Sequence, residues 1–297
     1  MKRADLLRQT ATLGFVAAAL PSIARAAPAP SDAPISPLAP AADGVNVAFL
    51  LSDGAVMIDF AGPWEVFQDV NVVGRQKPAF NLYTVAETTA PISLSGGARV
   101  VPEYALAGAP APNVVVVPAQ AAPTVAVKRW LVAAAHSVDL IVSVCTGALV
   151  LAEAGLLDGR TATTHHSAFG TLPLAYPNVT VVRGVRFVDG GRIATSAGLS
   201  AGIDLALHVV ARYYGKAQAR QTAYDMEYQS DHWLDGDNAA YRKPPAPQPG
   251  YAICAVCWME IDPKNSPLLS YRGKTYRFCM PAHEQIFASA PAGFIDA

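Results

Sequence analysis

Cys145 stands where a mostly β-branched run meets a stretch of small residues, a position at which a thiol can act as a nucleophile. Residues 140–144 form the run, and Thr146, Gly147 and Ala148 follow at once. Such a pattern predicts a buried strand, a tight turn and a packed helix, with the turn residue raised above the sheet. Since amide groups at a helix N-terminus favour an anion, we expect the thiolate of Cys145 to be favoured over the thiol. An inert, buried cysteine is the alternative.

Three further cysteines and a histidine near the C-terminus have the spacing of a metal site. Cys254 and Cys257 form a Cys-x2-Cys pair, and Cys279 and His283 form a Cys-x3-His pair. Two close pairs of soft or borderline ligands can complete a tetrahedral site. A module this small needs a structural metal for stability, because its apolar core is small. Zinc is the default expectation, and copper or another divalent or soft metal stays open. A redox disulfide between Cys254 and Cys257 is the alternative, although it leaves Cys279 unpaired and His283 without a role.

Asp59 is the candidate acidic partner of Cys145. In a doubly wound sheet, ligands bind at the carboxyl ends of the strands, and the predicted strands at 45–51 and 140–144 both end there. Asp59 then approaches Cys145 as a proton shuttle or a hydrogen-bond donor, because a carboxyl beside a thiolate is unfavourable unless it carries a proton. The alternative is that Asp59 is a helix N-cap, with Pro63 near the first turn of that helix.

The histidines offer weaker candidates for catalysis. If residues 161–165 form a strand, His165 and His166 point to opposite faces, so at most one of them faces a pocket. Asp204 and His208 are four residues apart on one helix face, a spacing that favours a structural hydrogen-bonded pair over a catalytic dyad.

Composition and patterning predict two folded domains. Of the 297 residues, 52% are hydrophobic and 15% are charged, which favours well-buried cores. Strand and helix signals alternate over residues 45–230, which predicts an α/β domain with a doubly wound, mostly parallel sheet and helices on both faces. Prolines make 231–250 a stiff linker, and 251–297 forms a small, metal-stapled α+β module. The formal net charge of -1 gives no reason to expect nucleic acid or an anionic membrane as a partner.

The N-terminal residues are typical of a cleaved export signal. Basic residues precede an apolar segment at 11–20, and Ala24-Arg25-Ala26 precedes a stretch rich in proline and alanine. We therefore expect 1–26 to be removed, 27–44 to be a disordered linker and the protein to be exported, to the periplasm. The alternative is an uncleaved membrane anchor, although so short an apolar segment hardly spans a bilayer.

Several segments of the larger domain resemble the ThiJ/PfpI superfamily. They comprise residues 59–67, 143–160, 162–165 and 197–204. They are most similar to its isonitrile hydratase branch and to the ligand-sensing halves of related regulators. The resemblance implies a class I glutamine amidotransferase-like fold, a nucleophilic Cys145, Asp59 as its acidic partner and Thr146 acting beside the nucleophile. It also implies a homodimer and a catalytic domain that needs no cofactor.

The chain departs from these relatives at a few positions. Thr146 stands where the peptidase branch has histidine, which argues against proteolysis. The relatives usually carry Pro-Gly-Gly in a loop where this chain has Pro118-Ala119-Gln120. Those glycines bring backbone N–H groups close to the substrate, so we expect an altered donor pocket here. His166 replaces a usual tryptophan, which predicts a different choice of substrate.

The C-terminal residues resemble the YHS domain, a small metal-binding module of metal-handling proteins. The resemblance is carried by residues 271–279 and Phe287, and it covers 251–297. The fourth ligand of such domains is usually cysteine. His283 at that position implies fewer thiolates and a weaker preference for the softest ions.

These features support three functional hypotheses. The leading one is a cysteine-dependent hydratase or hydrolase-type enzyme, an isonitrile hydratase-like lyase that uses Cys145 and Asp59 to convert an isocyanide into an N-substituted formamide. The alternative is a non-enzymatic exported protein that binds metal and uses Cys145 as a redox or ligand sensor. A third is a periplasmic metal chaperone whose larger domain is a scaffold.

Overall fold

A computed structural model of the chain describes residues 36–236, 244 and 246–295. The predicted export signal at 1–26 lies outside these residues. Among the described residues, no helix combines the length and the apolar character needed to cross a membrane.

A seven-stranded, mostly parallel sheet forms the centre of the larger domain and confirms the predicted fold class. In spatial order its strands are β10 (Phe187–Asp189), β11 (Ile193–Ser196), β7 (Leu140–Ser143), β6 (Val114–Val117), β1 (Val45–Leu50), β2 (Phe80–Ala86) and β5 (Tyr104–Ala105). Neighbouring strands run parallel except β10, which is antiparallel to β11. Every residue of β6 and β7 is buried, as expected of central strands covered on both faces. The carboxyl ends of β1, β6 and β7 therefore meet at one edge of the sheet.

Helices cover both faces of this sheet. They are α1 (Met57–Gln68), α2 (Val125–Ala134), α3 (Gly147–Glu153), α4 (Thr171–Ala175) and α5 (Ala201–Asp225). On one face, Phe67 of α1 and Leu205 of α5 join the core around the sheet. On the other face, Leu131 of α2 and Leu151 of α3 form a second core. The two cores hold the central strands between helical layers.

Gly215 interrupts α5. Its φ of 86° and ψ of 159° are not helical, so the chain bends between two helical segments. Glycine tolerates this backbone because it has no Cβ. The sequence predicts two helices, at 197–214 and 216–227, and the break at Gly215 agrees with that prediction. The first helix begins at Ala201, later than predicted.

Short strands lie outside the central sheet. They are β3 (Ile92–Ser93), β4 (Arg99–Val100), β8 (Thr161–Ala162) and β9 (Thr180–Val181). β3 and β4 form an antiparallel hairpin, which is one of the two structures, a hairpin or an irregular excursion, that the sequence allows for residues 91–102. β8 pairs in parallel with β9 and ends well before His165, so the predicted strand over 161–165 is wrong beyond its first two residues.

Both predicted linkers partly belong to the larger domain. Within 36–44, the Leu38 amide donates a hydrogen bond to the Arg212 carbonyl at 2.8 Å, and its side chain packs on the core. This end of the predicted linker therefore packs against the larger domain, and residues 27–35 lie outside the described residues. Trp233 is buried in the core of the larger domain, so the linker begins later than residue 231.

The C-terminal module contains two small sheets and two helices. These are β12 (Ala252–Ile253) with β13 (Glu260–Ile261), β14 (Leu268–Tyr271) with β15 (Lys274–Arg277), α6 (Pro281–Ser289) and α7 (Ala292–Ile295). Its buried core consists of Val256, Phe278 and Phe287 together with Cys254 and Cys257. So few apolar side chains supply little stabilisation by themselves.

Candidate active site and metal centre

Cys145 occupies a sharp turn between β7 and α3. Its φ of 60° is in the left-handed region, which is strained for a residue with a Cβ. The Cys145 amide donates to the Ala197 carbonyl at 3.1 Å, which holds the turn at the end of β11. A Cβ added to Gly147 would lie 2.2 Å from the Val117 carbonyl oxygen, so only glycine lets α3 begin this close to β6. The predicted strand, turn and helix are therefore confirmed.

Asp59 lies in the first turn of α1 and is fully buried. Its Oδ2 accepts a hydrogen bond from the Ala119 amide at 3.1 Å. The N-cap of α1 is Val56, so the interpretation of Asp59 as an N-cap is wrong. Pro63 lies inside the helix instead of near its start, because α1 begins earlier than the sequence suggests.

Burial raises the pKa of Asp59 to about 6, although hydrogen bonds from the Ala119 amide, the Cys145 thiol and the Leu199 amide act to lower it. Burial also raises the pKa of Cys145 to about 12, and the negative charge of Asp59 raises it further. Hydrogen bonds from the Thr146 and Leu199 amides act in the opposite direction.

The resting pair at neutral pH is thus a carboxylate and a thiol. The expectation that the helix N-terminus favours the thiolate of Cys145 is wrong, because desolvation and the charge of Asp59 outweigh the nearby amides. Ionised Asp59 can accept a proton from Cys145 and has none to donate. The two groups share one proton and titrate as a pair, an arrangement in which Asp59 can take the thiol proton when Cys145 attacks an electrophile.

The loop at 118–120 supports Asp59. Besides the Ala119 amide, the Ala119 carbonyl accepts from the Val56 amide at 2.8 Å, and Gln120 Oε1 accepts from the Ser52 amide at 2.7 Å. The Ala119 amide is therefore already engaged by Asp59. The amides that act on the sulfur of Cys145 come from Thr146 and Leu199 instead.

Sequence reasoning missed the role of Leu199. It precedes α5 with a φ of 53°, and its contribution comes from the backbone amide, which the residue type does not reveal. The neighbouring Gly198 indicates a close approach at this loop, because a Cβ there would lie 2.1 Å from Cδ2 of His165. The glycine thus allows the His165 ring to lie against this loop.

His165 and His166 lie together instead of on opposite faces. His165 is the N-cap of a short 3-10 helix, His166–Ala168, and the two imidazole rings contact each other at a tilt of 39°, with centroids 4.1 Å apart. Just before them, the Thr164 hydroxyl donates to the Cys145 carbonyl at 3.0 Å. His166 Nδ1 lies 2.8 Å from the carbonyl oxygen of Cys257 in the C-terminal module.

Asp204 and His208 do not pair with each other. Asp204 pairs with the Arg186 guanidinium and accepts from the Tyr228 hydroxyl at 3.0 Å. His208 Nε2 lies 2.9 Å from a carboxylate oxygen of Asp189. The predicted pair is wrong, and each residue belongs to a different buried polar network.

The four predicted metal ligands converge in the C-terminal module. One ligand atom from each of Cys254, Cys257, Cys279 and His283 lies within 4.8 Å of the others. The Sγ atoms of Cys257 and Cys279 are 3.7 Å apart, and His283 Nδ1 lies 3.5 Å from Cys254 Sγ and 3.1 Å from Cys279 Sγ. A tetrahedral zinc site with bonds of about 2.3 Å to sulfur has sulfur–sulfur edges near 3.8 Å.

This geometry fits a metal ion. All four cysteines are free thiols, so no disulfide joins Cys254 to Cys257. Metal binding requires the thiolate form of these cysteines, so binding releases their protons. The cluster can hold a metal ion, with three sulfur ligands and one nitrogen ligand.

A mostly parallel sheet with a cysteine on a strained turn between strand and helix, beside a buried carboxyl, defines a class of α/β proteins with a thiol at a nucleophile elbow. The sequence model of the DJ-1/PfpI family matches residues 45–212, which span this whole site. The chain belongs to the DJ-1/PfpI family.

Similar proteins include both an enzyme and regulators. Isonitrile hydratase of Pseudomonas putida is 30% identical over 191 residues, covering 62% of this chain and 78% of that protein. The HTH-type transcriptional regulator CdhR of Pseudomonas aeruginosa is 41% identical over 100 residues, 34% of this chain and 30% of that protein. This chain thus spans less than a third of that regulator's length.

Solved structures show the same fold. A ThiJ/PfpI family protein from Pseudomonas syringae superposes with a TM-score of 0.56 at 25% identity, covering 63% of this chain and 76% of that one. Toxoplasma gondii DJ-1 superposes with a TM-score of 0.54 at 19% identity, covering 63% of this chain and all of that one (100%). These matches extend over the α/β domain and leave more than a third of this chain uncovered.

Proposed function

We propose that this chain is an isonitrile hydratase-like enzyme that adds water to an isocyanide and releases an N-substituted formamide. The observation that carries the proposal is the buried Asp59 carboxylate, held by the Ala119 amide, whose negative charge acts on the Cys145 thiol at a strained elbow. Isonitrile hydratase of Pseudomonas putida supplies the reaction class, since it is similar over most of its length.

The first step forms a carbon–sulfur bond. Cys145 Sγ attacks the terminal carbon of the isocyanide while its proton passes to the Asp59 carboxylate. Asp59 then gives that proton to the same carbon, and the product is a thioimidate attached to Cys145. The Thr146 and Leu199 amides act on the sulfur while negative charge develops there.

The second step hydrolyses the thioimidate. Water adds to its carbon with Asp59 as the base, and the carbon–sulfur bond then breaks. One hydrogen of the water passes through Asp59 to the sulfur. The second passes from the added hydroxyl to the nitrogen, so the released formamide carries an N–H group. The sum is one isocyanide and one water consumed for each formamide, and Cys145 returns as the thiol.

The test compares formamide production by the wild type with that of Cys145→Ala and Asp59→Asn. We expect Cys145→Ala to abolish turnover and Asp59→Asn to lower it by roughly 100-fold or more, the usual weight of a general base. Asp69→Asn is the matched control, since Asp69 is exposed at the end of the same helix and the charge change is identical. Formamide production that is equal in all four proteins would refute both assignments.

A non-enzymatic sensor is the second candidate function. It is favoured by the Ala119 amide, which is engaged by Asp59 and so is not offered to a substrate. The regulators among the similar proteins point the same way. Stoichiometric capture of an electrophile at Cys145 without release of product distinguishes this function, and mass spectrometry of the intact protein detects it.

We further propose that residues 251–297 form a YHS-like module that binds zinc, and that residues 1–26 direct export to the periplasm. The buried Cys3His cluster supports the metal, because three thiolates and an imidazole in this geometry suit zinc. Metal analysis of the purified chain is the test, with one zinc per chain expected. Sequencing the N-terminus of protein recovered from the periplasm tests the export signal.

A further inference from the structure

The C-terminal module contacts the larger domain through its metal-ligand residues. His166 Nδ1 lies 2.8 Å from the carbonyl oxygen of Cys257. A Cβ added to Gly170 would lie 2.3 Å from Nε2 of His283, so the imidazole rests directly on this glycine. His283 presents its other nitrogen, Nδ1, to the cysteines. The orientation of both ligands is therefore tied to the surface of the larger domain.

Arg183 places a partly buried positive charge at the same contact, with its Nε buried and without a hydrogen-bond partner among the described residues. Its guanidinium lies over the rings of Trp258, Phe294 and Phe169, at 4.6, 5.0 and 5.7 Å from their centroids. Its terminal nitrogens face the carbonyl oxygens of Gly293 at 3.3 Å and Ala255 at 3.5 Å. Within the described part of the chain, no carboxylate forms an ion pair with Arg183.

The metal centre supplies the missing negative charge. Three thiolates, a neutral imidazole and a divalent ion carry a net charge of about -1, which balances one guanidinium. Burial lowers the pKa of Arg183 to about 10, and the negative charges of Cys254 and Cys257 act to raise it, so Arg183 is cationic at neutral pH. A loaded site thus compensates a charge that is costly to bury alone.

The same contact continues to Cys145 along two short routes. The His166 ring packs against the His165 ring, which lies against Gly198, the neighbour of the Leu199 amide that acts on the thiol. Thr164, before them, donates to the Cys145 carbonyl. Residues 164–166 therefore connect the backbone of the reactive cysteine with a backbone carbonyl of the metal cluster.

We propose that metal binding by Cys254, Cys257, Cys279 and His283 docks the module onto Gly170 and Arg183, and that docking fixes residues 164–166 and so sets the reactivity of Cys145. Without metal, nothing holds the four ligand residues together, so the Cys257 carbonyl and the His283 ring lose their fixed positions. Arg183 then also loses the negative charge that compensates its guanidinium. The proposal rests on the proposed metal site but not on the hydratase activity.

Hydrogen exchange of the full chain tests the docking. Amides 164–170 and 183–186 are compared in the zinc-loaded protein and in protein stripped with a chelator. We expect exchange there to accelerate by roughly tenfold or more on stripping, because the contact opens locally. Amides of the central strands β6 and β7 serve as the internal reference and remain unchanged.

Alkylation of Cys145 by iodoacetamide tests the coupling, and mass spectrometry of the peptide containing Cys145 separates it from the ligand cysteines. We expect the rate in the wild type to differ severalfold between the zinc-loaded and the stripped chain. In His166→Ala the rate becomes independent of zinc, because the connection to the Cys257 carbonyl is removed. Equal rates in the loaded and stripped wild type contradict the coupling, whatever the hydratase assay gives.

Arg183→Met tests the role of charge, since methionine keeps an apolar stem among the rings. We expect fast exchange at 164–170 with zinc still bound, as shown by metal analysis. Arg160→Met is the control, because Arg160 is exposed and has no contact with the module among the described hydrogen bonds and ion pairs. Exchange in Arg183→Met that matches Arg160→Met overturns the proposal, and so does a full chain that binds no zinc.

Discussion

Cys145 and Asp59 share one proton, and their burial decides where it lies. With the pKa of the carboxyl at about 6 and that of the thiol at about 12, the proton rests on sulfur at neutral pH. The nucleophile is therefore generated only during attack, when Asp59 accepts the proton. A thiol held in this way resists adventitious oxidation and alkylation, since the thiolate is the reactive form.

The first prediction concerns the pH dependence of the reaction. The value of kcat/KM for isocyanide hydration rises as the pH increases through about 6, because only ionised Asp59 can accept the thiol proton. A pH profile measured with a neutral substrate checks it. Asp59→Asn lacks this inflection, and a wild-type profile that is flat between about pH 5 and 7 contradicts the role given to Asp59.

The second prediction is that Asp59→Asn stabilises the protein while it lowers activity. The folded pKa of about 6 is above the usual 3.8, so the folded state binds this proton more tightly than the unfolded state. The stabilising contribution is complete below about pH 4 and is lost as the pH rises through about 6.

At pH 7 the buried carboxylate therefore costs stability. We expect Asp59→Asn to raise the free energy of unfolding by roughly 1–3 kcal/mol at pH 7 and to have little effect near pH 4, by linkage with the shifted pKa. Urea unfolding at both pH values measures this difference. Asp69→Asn, on the exposed end of α1, changes the free energy of unfolding by less than about 0.5 kcal/mol.

At the scale of elements, the junction of β6, β7 and α3 determines whether the elbow can form. Val117 ends β6 and presents its carbonyl oxygen to Gly147, the first residue of α3. The strand, the turn and the helix have no space between them for a side chain. The positive φ of Cys145 is thus maintained by packing that surrounds it on several sides.

The third prediction is that Gly147→Ala destabilises the α/β domain. The added Cβ meets the Val117 carbonyl oxygen at 2.2 Å, and backbone on both sides must move to relieve the contact. We expect a loss of roughly 2–4 kcal/mol in the free energy of unfolding, typical of severe overpacking. Gly108→Ala is the control, since a Cβ there meets no atom within 4 Å. Equal midpoints of denaturation for the two variants contradict this account of the elbow.

The sequence predicts the strands of the sheet better than the connections between them. Strands β2 and β6 have the predicted bounds, because apolar and β-branched runs identify buried strands by themselves. The predicted strand over 161–165 fails after Ala162, because the Thr163 amide donates to the Thr195 hydroxyl at 2.8 Å and Thr164 bonds to the elbow. These tertiary hydrogen bonds leave no trace in local periodicity.

The sequence predicts which side chains form the site but not the protonation state of the thiol. Residue types and spacing identify Cys145, Asp59 and the four ligand residues of the cluster, and the structure brings each set together. The amide of Leu199 and the protonation state of the thiol depend on a left-handed backbone and on desolvation, which a sequence does not display. The predicted thiolate was wrong for that reason.

At the scale of the whole molecule, the chain combines a self-sufficient α/β core with a module that depends on its ligands. Among the described residues the larger domain has two extensive apolar cores, whereas the module buries three apolar side chains besides its cysteines. The stability of the module therefore depends on metal binding, in contrast to that of the sheet.

The fourth prediction is that metal removal selectively unfolds the module. We expect a chelator to lower the stability of the module by several kcal/mol, as for other small domains whose ligands converge only when folded. Hydrogen exchange of the amides of β14 and β15 monitors the module, and that of the amides of β6 and β7 monitors the larger domain. Cys279→Ser abolishes the effect of zinc, while Cys145→Ser retains it. A module whose hydrogen exchange is indifferent to the chelator contradicts the prediction.

The contact between His166 and the module is made by the carbonyl of Cys257, and not by its side chain. The opposing surface, at Gly170, likewise contributes no side chain. The contact is therefore indifferent to the side chain at position 257, as long as the backbone there keeps its course and the side chain is an anion, because the negative charge of Cys257 acts on Arg183. A different anionic ligand at that position can change which ion the cluster prefers and leave the contact with the larger domain in place. The same fold can thus report on different ions at one reactive cysteine.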